Sequence, residues 1–92
     1  MPEAEVNAAF ERFLRSYLSL EARQEIEAAY GAEVAVRAKE VYDRCLQCPV
    51  DWRHQTMDDA LLVLARFMEM EYPWLTQPAR RNINMAFIYE WK

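Results

Sequence analysis

Apolar residues recur at intervals of three and four along the first part of the chain, which is the spacing of an amphipathic helix. The members of this stripe are Val6, Phe10, Phe13, Tyr17 and Leu20. Pro2 suits the first turn of a helix, and Glu3 and Glu5 lie where the helix dipole favours negative charge. The pattern predicts a first helix over about residues 3–18.

A second, longer stretch of helical periodicity follows Ser19, a residue type that commonly caps a helix N-terminus. Its apolar stripe continues past Gly31, the one glycine in the sequence, towards the helix-ending Pro49. No turn cluster follows Gly31, because the next three residues, Ala-Glu-Val, resume helix-forming chemistry. We therefore expect one helix over about residues 20–47 with a kink at Gly31. Two helices that meet at Gly31 are the alternative.

The most apolar stretch follows a Thr-Met-Asp-Asp sequence at positions 56–59, which resembles a capping box. Nine of the eleven residues from Ala60 to Met70 are apolar, with three Leu, two Met and one Val. This composition favours a helix, because a buried strand is usually shorter and richer in β-branched residues. We expect a helix over about residues 57–72. Since it is apolar nearly all round, we expect it to be the central element of the fold.

A last helix is predicted over residues 77–91, after the helix-ending Pro73. Thr76 is a candidate cap and Pro78 suits the first turn. Apolar side chains span more than one of its sides, so that a terminal helix would leave some of its aromatic residues uncovered. No segment alternates apolar and polar residues with a period of two. The sequence predicts one all-α domain over 1–92, a small four-helix bundle with antiparallel neighbours.

Composition narrows the class of protein. Ninety-two residues, 53% of them hydrophobic, can form one core and exclude intrinsic disorder. A net charge of −4 disfavours nonspecific binding to nucleic acid and to anionic lipid. The longest apolar run, Ala60–Ala65, is much shorter than the roughly 20 residues of a membrane helix. No secretory signal pattern opens the sequence, and we expect a cytoplasmic protein.

The candidates for metal or redox chemistry are few. Cys45 and Cys48 form a CxxC pair, but the pair closes a helix, where the dipole disfavours a thiolate. With His54 they are weak candidates for a zinc site, which usually needs four ligands. The sequence has no phosphate-binding loop and no HExxH or nucleophile-elbow motif. We expect neither a metal nor a cofactor, and we do not expect an enzyme.

Two adjacent cations, Arg80 and Arg81, open the last helix against its dipole. A regulator that reads DNA through this helix is one alternative function, and a zinc-stabilised adaptor is another. The acidic net charge argues against nucleic acid as the partner. The simpler explanation is that these cations pair with Glu69 or Glu71 across the turn at Pro73.

The leading hypothesis is a non-enzymatic module that binds another protein with a basic surface. Carboxylates would steer the partner, and exposed aromatic residues, above all Trp52, would anchor it. The candidate contact residues are Asp51, Trp52, Asp58, Asp59, Glu69 and Glu71. Small acidic helical chains of this type are typical of bacterial or phage inhibitors and immunity proteins. A homodimer through the last helix is a further version of this hypothesis.

Overall fold

Five helices account for most of the computed structural model, which describes residues 3–91. They are α1 (Glu3–Phe13), α2 (Leu20–Tyr30), α3 (Ala32–Leu46), α4 (Met57–Glu71) and α5 (Gln77–Trp91). No strand occurs within residues 3–91, and the prediction of an all-α fold is confirmed. The prediction of a four-helix bundle is wrong, because the second predicted helix is two helices. The antiparallel arrangement of neighbours stays a prediction.

Gly31 divides the predicted helix over residues 20–47. Its backbone adopts φ 100° and ψ 164°, a region that essentially only glycine can enter at low cost. The Gly31 N–H donates to the carbonyl oxygen of Glu27 at 2.8 Å and closes α2. Its own carbonyl oxygen accepts from the Ala35 N–H at 3.2 Å and opens α3. The two-helix alternative is therefore the correct one.

The first helix is also shorter than predicted, because it ends at Phe13 and not near residue 18. Ser19 explains the difference. As predicted, it caps α2, with its hydroxyl oxygen accepting from the Ala22 N–H at 3.0 Å. A capping residue needs an extended backbone, so the chain must leave the helical conformation before position 19. Tyr17 and Leu20 consequently lie exposed and not on the core stripe where the periodicity placed them.

The central helix is α3, which packs against each of the other four helices. By contrast, α4 packs only against α3 and α5 within the described part of the chain. It buries fully a single stripe, Ala60, Leu64 and Met68. The expectation that the most apolar helix is central is therefore wrong. High apolar content allowed burial on all sides, but the packing of the other four helices leaves only one side of α4 covered.

The connection from α4 to α5 (residues 72–76, the Pro73 corner) is tied to α1 by a polar cluster. The buried Asn7 side chain donates through Nδ2 to the carbonyl oxygen of Trp74 at 3.0 Å and accepts from the Thr76 N–H at 2.9 Å. The Thr76 hydroxyl donates to Glu11 at 2.8 Å and accepts from the Ala79 N–H at 3.3 Å, which confirms Thr76 as the cap of α5. This cluster fixes the start of α5 against α1.

None of the helices within residues 3–91 has both the length and the apolar character that crossing a bilayer requires.

Candidate protein-binding surface

The connection from α3 to α4 (residues 47–56, the Pro49 loop) is organised by Asp51. The Asp51 carboxylate accepts from the Arg53 N–H at 3.0 Å and lies 2.8 Å from His54 Nδ1. Its carbonyl oxygen accepts from the N–H groups of His54 and Gln55, and its own N–H donates to the Gln55 side chain. These contacts form a self-contained turn that presents Trp52 beside Asp51.

Trp52 lies against two aromatic residues of α5. Its ring stacks on Phe87 with centroids 6.3 Å apart and contacts Trp91 at 6.1 Å. Phe87 is fully buried, while Trp52 is 41% exposed and Trp91 is 46% exposed. Trp91 is held in place because its Nε1–H donates to the carbonyl oxygen of Leu46 at 3.0 Å, near the end of α3. We call Trp52, Phe87 and Trp91 the aromatic platform.

Carboxylates lie beside the aromatic platform. A shallow groove beside Trp91 is lined by Tyr42, Asp43 and Glu90, among others. Burial raises the pKa of the Tyr42 hydroxyl above its ordinary value, and the negative charges of Glu90 and Asp43 raise it further. Asp43 also pairs with Lys39 at 2.6 Å. Glu90 and Asp51 are exposed and directly precede Trp91 and Trp52 in the sequence, and the exposed Arg53 directly follows Trp52.

The two aspartates that begin α4 differ in what they contact. Asp59 completes the predicted capping box, because its carboxylate accepts from the Thr56 N–H at 3.1 Å and its N–H donates to the Thr56 hydroxyl at 3.3 Å. Asp58 is exposed and makes no side-chain hydrogen bond or ion pair with the residues described. Asp58 is thus available to a partner, while one oxygen of Asp59 is already engaged.

The second acidic pair, Glu69 and Glu71, is neutralised within the chain. Glu69 pairs with Arg80 at 2.7 Å, across the Pro73 corner, as the sequence indicated. Glu71 pairs instead with Arg44 of α3 at 2.7 Å. Arg44 also donates to the Tyr72 hydroxyl at 3.0 Å. Both carboxylates remain partly exposed, but each has a cation in contact with it.

The candidate metal ligands do not form a site. Within residues 3–91, no group of three or more His, Cys, Asp or Glu residues has the arrangement that could hold a metal ion. Cys45 is fully buried, and this burial, together with the nearby Cys48, raises the pKa of its thiol to about 12. Burial also raises the pKa of the Cys48 thiol. Both thiols are therefore protonated at neutral pH and poor nucleophiles.

The cations that suggested a DNA-reading helix are divided between the interior and the surface. The Arg80 guanidinium donates to the carbonyl oxygens of Pro73 and Leu75 in addition to Glu69. Asn82 donates to the carbonyl oxygen of Phe10 at 3.0 Å and so ties α5 to α1. Of Arg80, Arg81 and Asn82, only Arg81 is exposed, while the other two donate hydrogen bonds within the fold.

Sequence reasoning placed Trp52 correctly among the exposed aromatic residues but missed Trp91 as its neighbour and Glu90 beside Trp91. Trp91 lies four residues after Phe87, and this spacing put it on the core stripe of the last helix. α5 continues past the point where other helices cover it, so its apolar stripe extends beyond the core. The position of Trp91 in the last turn of the predicted helix is the feature that could have indicated an exposed side chain.

A larger groove, of about 500 Å³, lies elsewhere, between α2 and α3. Leu20 and Val36 expose apolar side chains in it, and Arg23, Lys39 and Asp43 are among the charged residues that line it. Lys39 and Asp43 form an ion pair with each other. Since the lining carries both signs of charge, it selects no class of charged ligand.

No protein-family model, curated protein or solved structure matches this chain.

Proposed function

We propose that this chain is a non-enzymatic protein-binding module that acts as a small acidic inhibitor, of the immunity-protein type, on a partner with a basic surface. The observation that carries the proposal is the aromatic platform. Trp52 and Trp91 expose their indoles side by side over the buried Phe87. Half-exposed aromatic residues on a fixed base, flanked by charge, are typical binding hot spots.

The chemistry of the platform favours a cationic side chain as the anchor of the partner. An indole face attracts a guanidinium or ammonium group, and the attraction grows when the pair is shielded from water. Asp51 and Glu90 add negative charge near the same surface. These carboxylates would also speed the approach of a basic partner, whereas they would repel an acidic one.

The remaining reactive groups support binding rather than catalysis. Burial keeps the Cys45 thiol protonated, and the His54 ring is engaged with Asp51 in a local turn. Both cysteines are free thiols, in keeping with the proposed cytoplasmic location, where thiols stay reduced. Asp58 extends the acidic surface from the Pro49 loop onto the start of α4.

A second form of the proposal is that the bound protein is another copy of this chain, which would pack through the last helix. Met85 and Tyr89 lie four residues apart on one exposed side of α5, and Tyr17 stacks on Tyr89 with centroids 5.8 Å apart. These three side chains form an exposed apolar patch, which is the kind of surface that a second protein covers.

The test compares three versions of the immobilised chain in capture from extracts of the source cells. We expect the wild-type chain and the control variant Met70→Ala to retain the same basic protein, and Trp52→Ala to retain at least tenfold less. Met70 is the matched control because it is an exposed apolar residue of α4, outside the platform. Circular dichroism verifies that all three are folded. Equal retention by Trp52→Ala would exclude the platform as the binding site.

A further inference from the structure

The outer side of α4 carries Met70, the most exposed of the large apolar side chains among the described residues. Met70 is 79% exposed and Leu62 is 66% exposed. The helix turns its opposite side, with Ala60, Leu64 and Met68, towards α3 and α5. Nothing in the described part of the chain covers the outer side, although α4 is the most apolar segment of the sequence.

A single stripe runs along this outer side. Asp59, Val63, Arg66 and Met70 are spaced by four, three and four residues, and Leu62 adjoins them. Val63 is half-buried against the core and borders the outer side, whereas the other four residues are exposed. Gln55, Asp59, Leu62, Val63 and Arg66 together line one shallow depression. Arg66 is exposed and forms no hydrogen bond or ion pair within residues 3–91. The stripe therefore places an acid and an unpaired base on either side of an apolar centre.

The order of these two charges along α4 favours a second copy of this chain as the protein that covers the outer side. Asp59 and Arg66 are seven residues apart, which is two helical turns or about 10.5 Å along the axis. If a second α4 lies antiparallel across the first, with a twofold axis near Leu62 and Val63, each Asp59 faces the Arg66 of the other copy. A parallel arrangement would place like charges opposite each other.

We propose that the outer side of α4 is a homodimer interface in which two copies pack antiparallel about this twofold axis. Leu62 and Val63 of both copies form the apolar centre, and two Asp59–Arg66 ion pairs flank it. Such an interface is isologous, because the same surface of each copy is complementary to itself. Antiparallel packing also places the positive end of each helix dipole beside the negative end of the other.

A second copy supplies an opposite charge for both exposed side chains. A uniformly basic surface would be repelled by Arg66 and a uniformly acidic one by Asp59, whereas a twofold pairing satisfies both. The one oxygen of Asp59 that binds the Thr56 N–H leaves the other oxygen for the partner's Arg66. The proposal does not depend on the aromatic platform.

Sedimentation equilibrium over a range of protein concentrations tests the interface. We expect the wild-type chain to dimerise and Leu62→Glu to raise the dissociation constant of the dimer at least tenfold. Val36→Glu is the matched control, since Val36 on α3 is exposed to a similar extent. We expect this control to dimerise like the wild type, and Met85→Glu tests the alternative interface on α5. A monomeric wild-type chain, or a dimer disrupted by Met85→Glu and not by Leu62→Glu, would overturn the proposal.

Charge exchange tests the antiparallel register. We expect Arg66→Asp alone and Asp59→Arg alone each to weaken the dimer at least tenfold, because each variant places like charges opposite each other. An equal mixture of the two variants should form a heterodimer close to wild-type affinity, since one side keeps a native Asp59–Arg66 pair and the other pairs the two substituted side chains with the signs reversed. A mixture that stays monomeric would contradict the register. Arg66→Asp leaves the capping box intact, so its result stands even where Asp59→Arg loses helix stability.

Discussion

Two connections in this chain share their local signals and differ in their surroundings. The Pro49 loop and the Pro73 corner each place a proline just after a helix, a tryptophan close behind it and a threonine that caps the next helix. In the Pro73 corner, Tyr72 and Leu75 are buried, and the backbone of Trp74 and Thr76 bonds to Asn7 of α1. That corner is part of the core.

In the Pro49 loop, by contrast, the hydrogen bonds of Asp51 all stay within residues 51–55. The loop contacts the rest of the fold through apolar packing, with Cys48 and Val50 against the core and Trp52 stacked on Phe87. The comparison shows that proline, tryptophan and threonine define where a connection lies but not how deeply it is buried. The difference comes from Asn7, which is 67 residues from Trp74 in sequence.

The largest expected difference in unfolding free energy is between truncating Leu75 of the Pro73 corner and truncating Val50 of the Pro49 loop. Leu75→Ala should destabilise the fold by about 2–5 kcal/mol, because it leaves a cavity in the core. Val50→Ala in the Pro49 loop should cost only about 1 kcal/mol, since Val50 is half-buried and loses less apolar contact. Urea unfolding followed by circular dichroism gives both values. Equal losses of unfolding free energy in the two variants would mean that both connections pack equally into the core.

The polar contacts of the two connections should also differ in how much they stabilise the fold, by a smaller amount than the apolar residues do. Asn7→Ala should cost about 1–3 kcal/mol, because it leaves the carbonyl oxygen of Trp74 and the N–H of Thr76 without a partner in a partly buried place. The matched change in the Pro49 loop is Gln55→Ala, which removes the acceptor of the exposed Asp51 N–H. Water can replace that acceptor, and the cost should stay within about 0.5 kcal/mol. A large loss for Gln55→Ala would contradict the view that the loop is only locally held.

Short-range signals predicted the local structure well. Ser19, Thr56 and Thr76 all cap helices as expected, because a cap depends on residues within one turn. The pairing of Glu69 with Arg80 could also be predicted from the sequence, since both residues flank the Pro73 corner. Gly31 was recognised as a point of ambiguity, but sequence alone does not fix its φ angle. The positive φ decided in favour of two helices.

Long-range placement was beyond the sequence pattern. The apolar density of α4 predicted burial on all sides, yet the pattern holds no information on how many neighbours a helix will have. The candidate site shows the same limit. Trp52 could be expected at the surface from its polar neighbours, whereas Trp91 contacts it only because α5 returns to the end of α3. The role of Asn7 had no local signal at all.

The smallest expected effect compares the two capping threonines. Thr56→Ala should cost about 1 kcal/mol, since it removes one capping hydrogen bond from the exposed start of α4. Thr76→Ala should cost more, about 1–2 kcal/mol, because the same hydroxyl also donates to Glu11 of α1. In a Glu11→Ala background this excess should disappear, and the two threonine changes should then cost the same by urea unfolding. An unchanged cost for Thr76→Ala in that background would show that the hydrogen bond from Thr76 to Glu11 of α1 adds no stability, and the corner would then differ from the loop through its other contacts, among them those of Asn7 and Leu75.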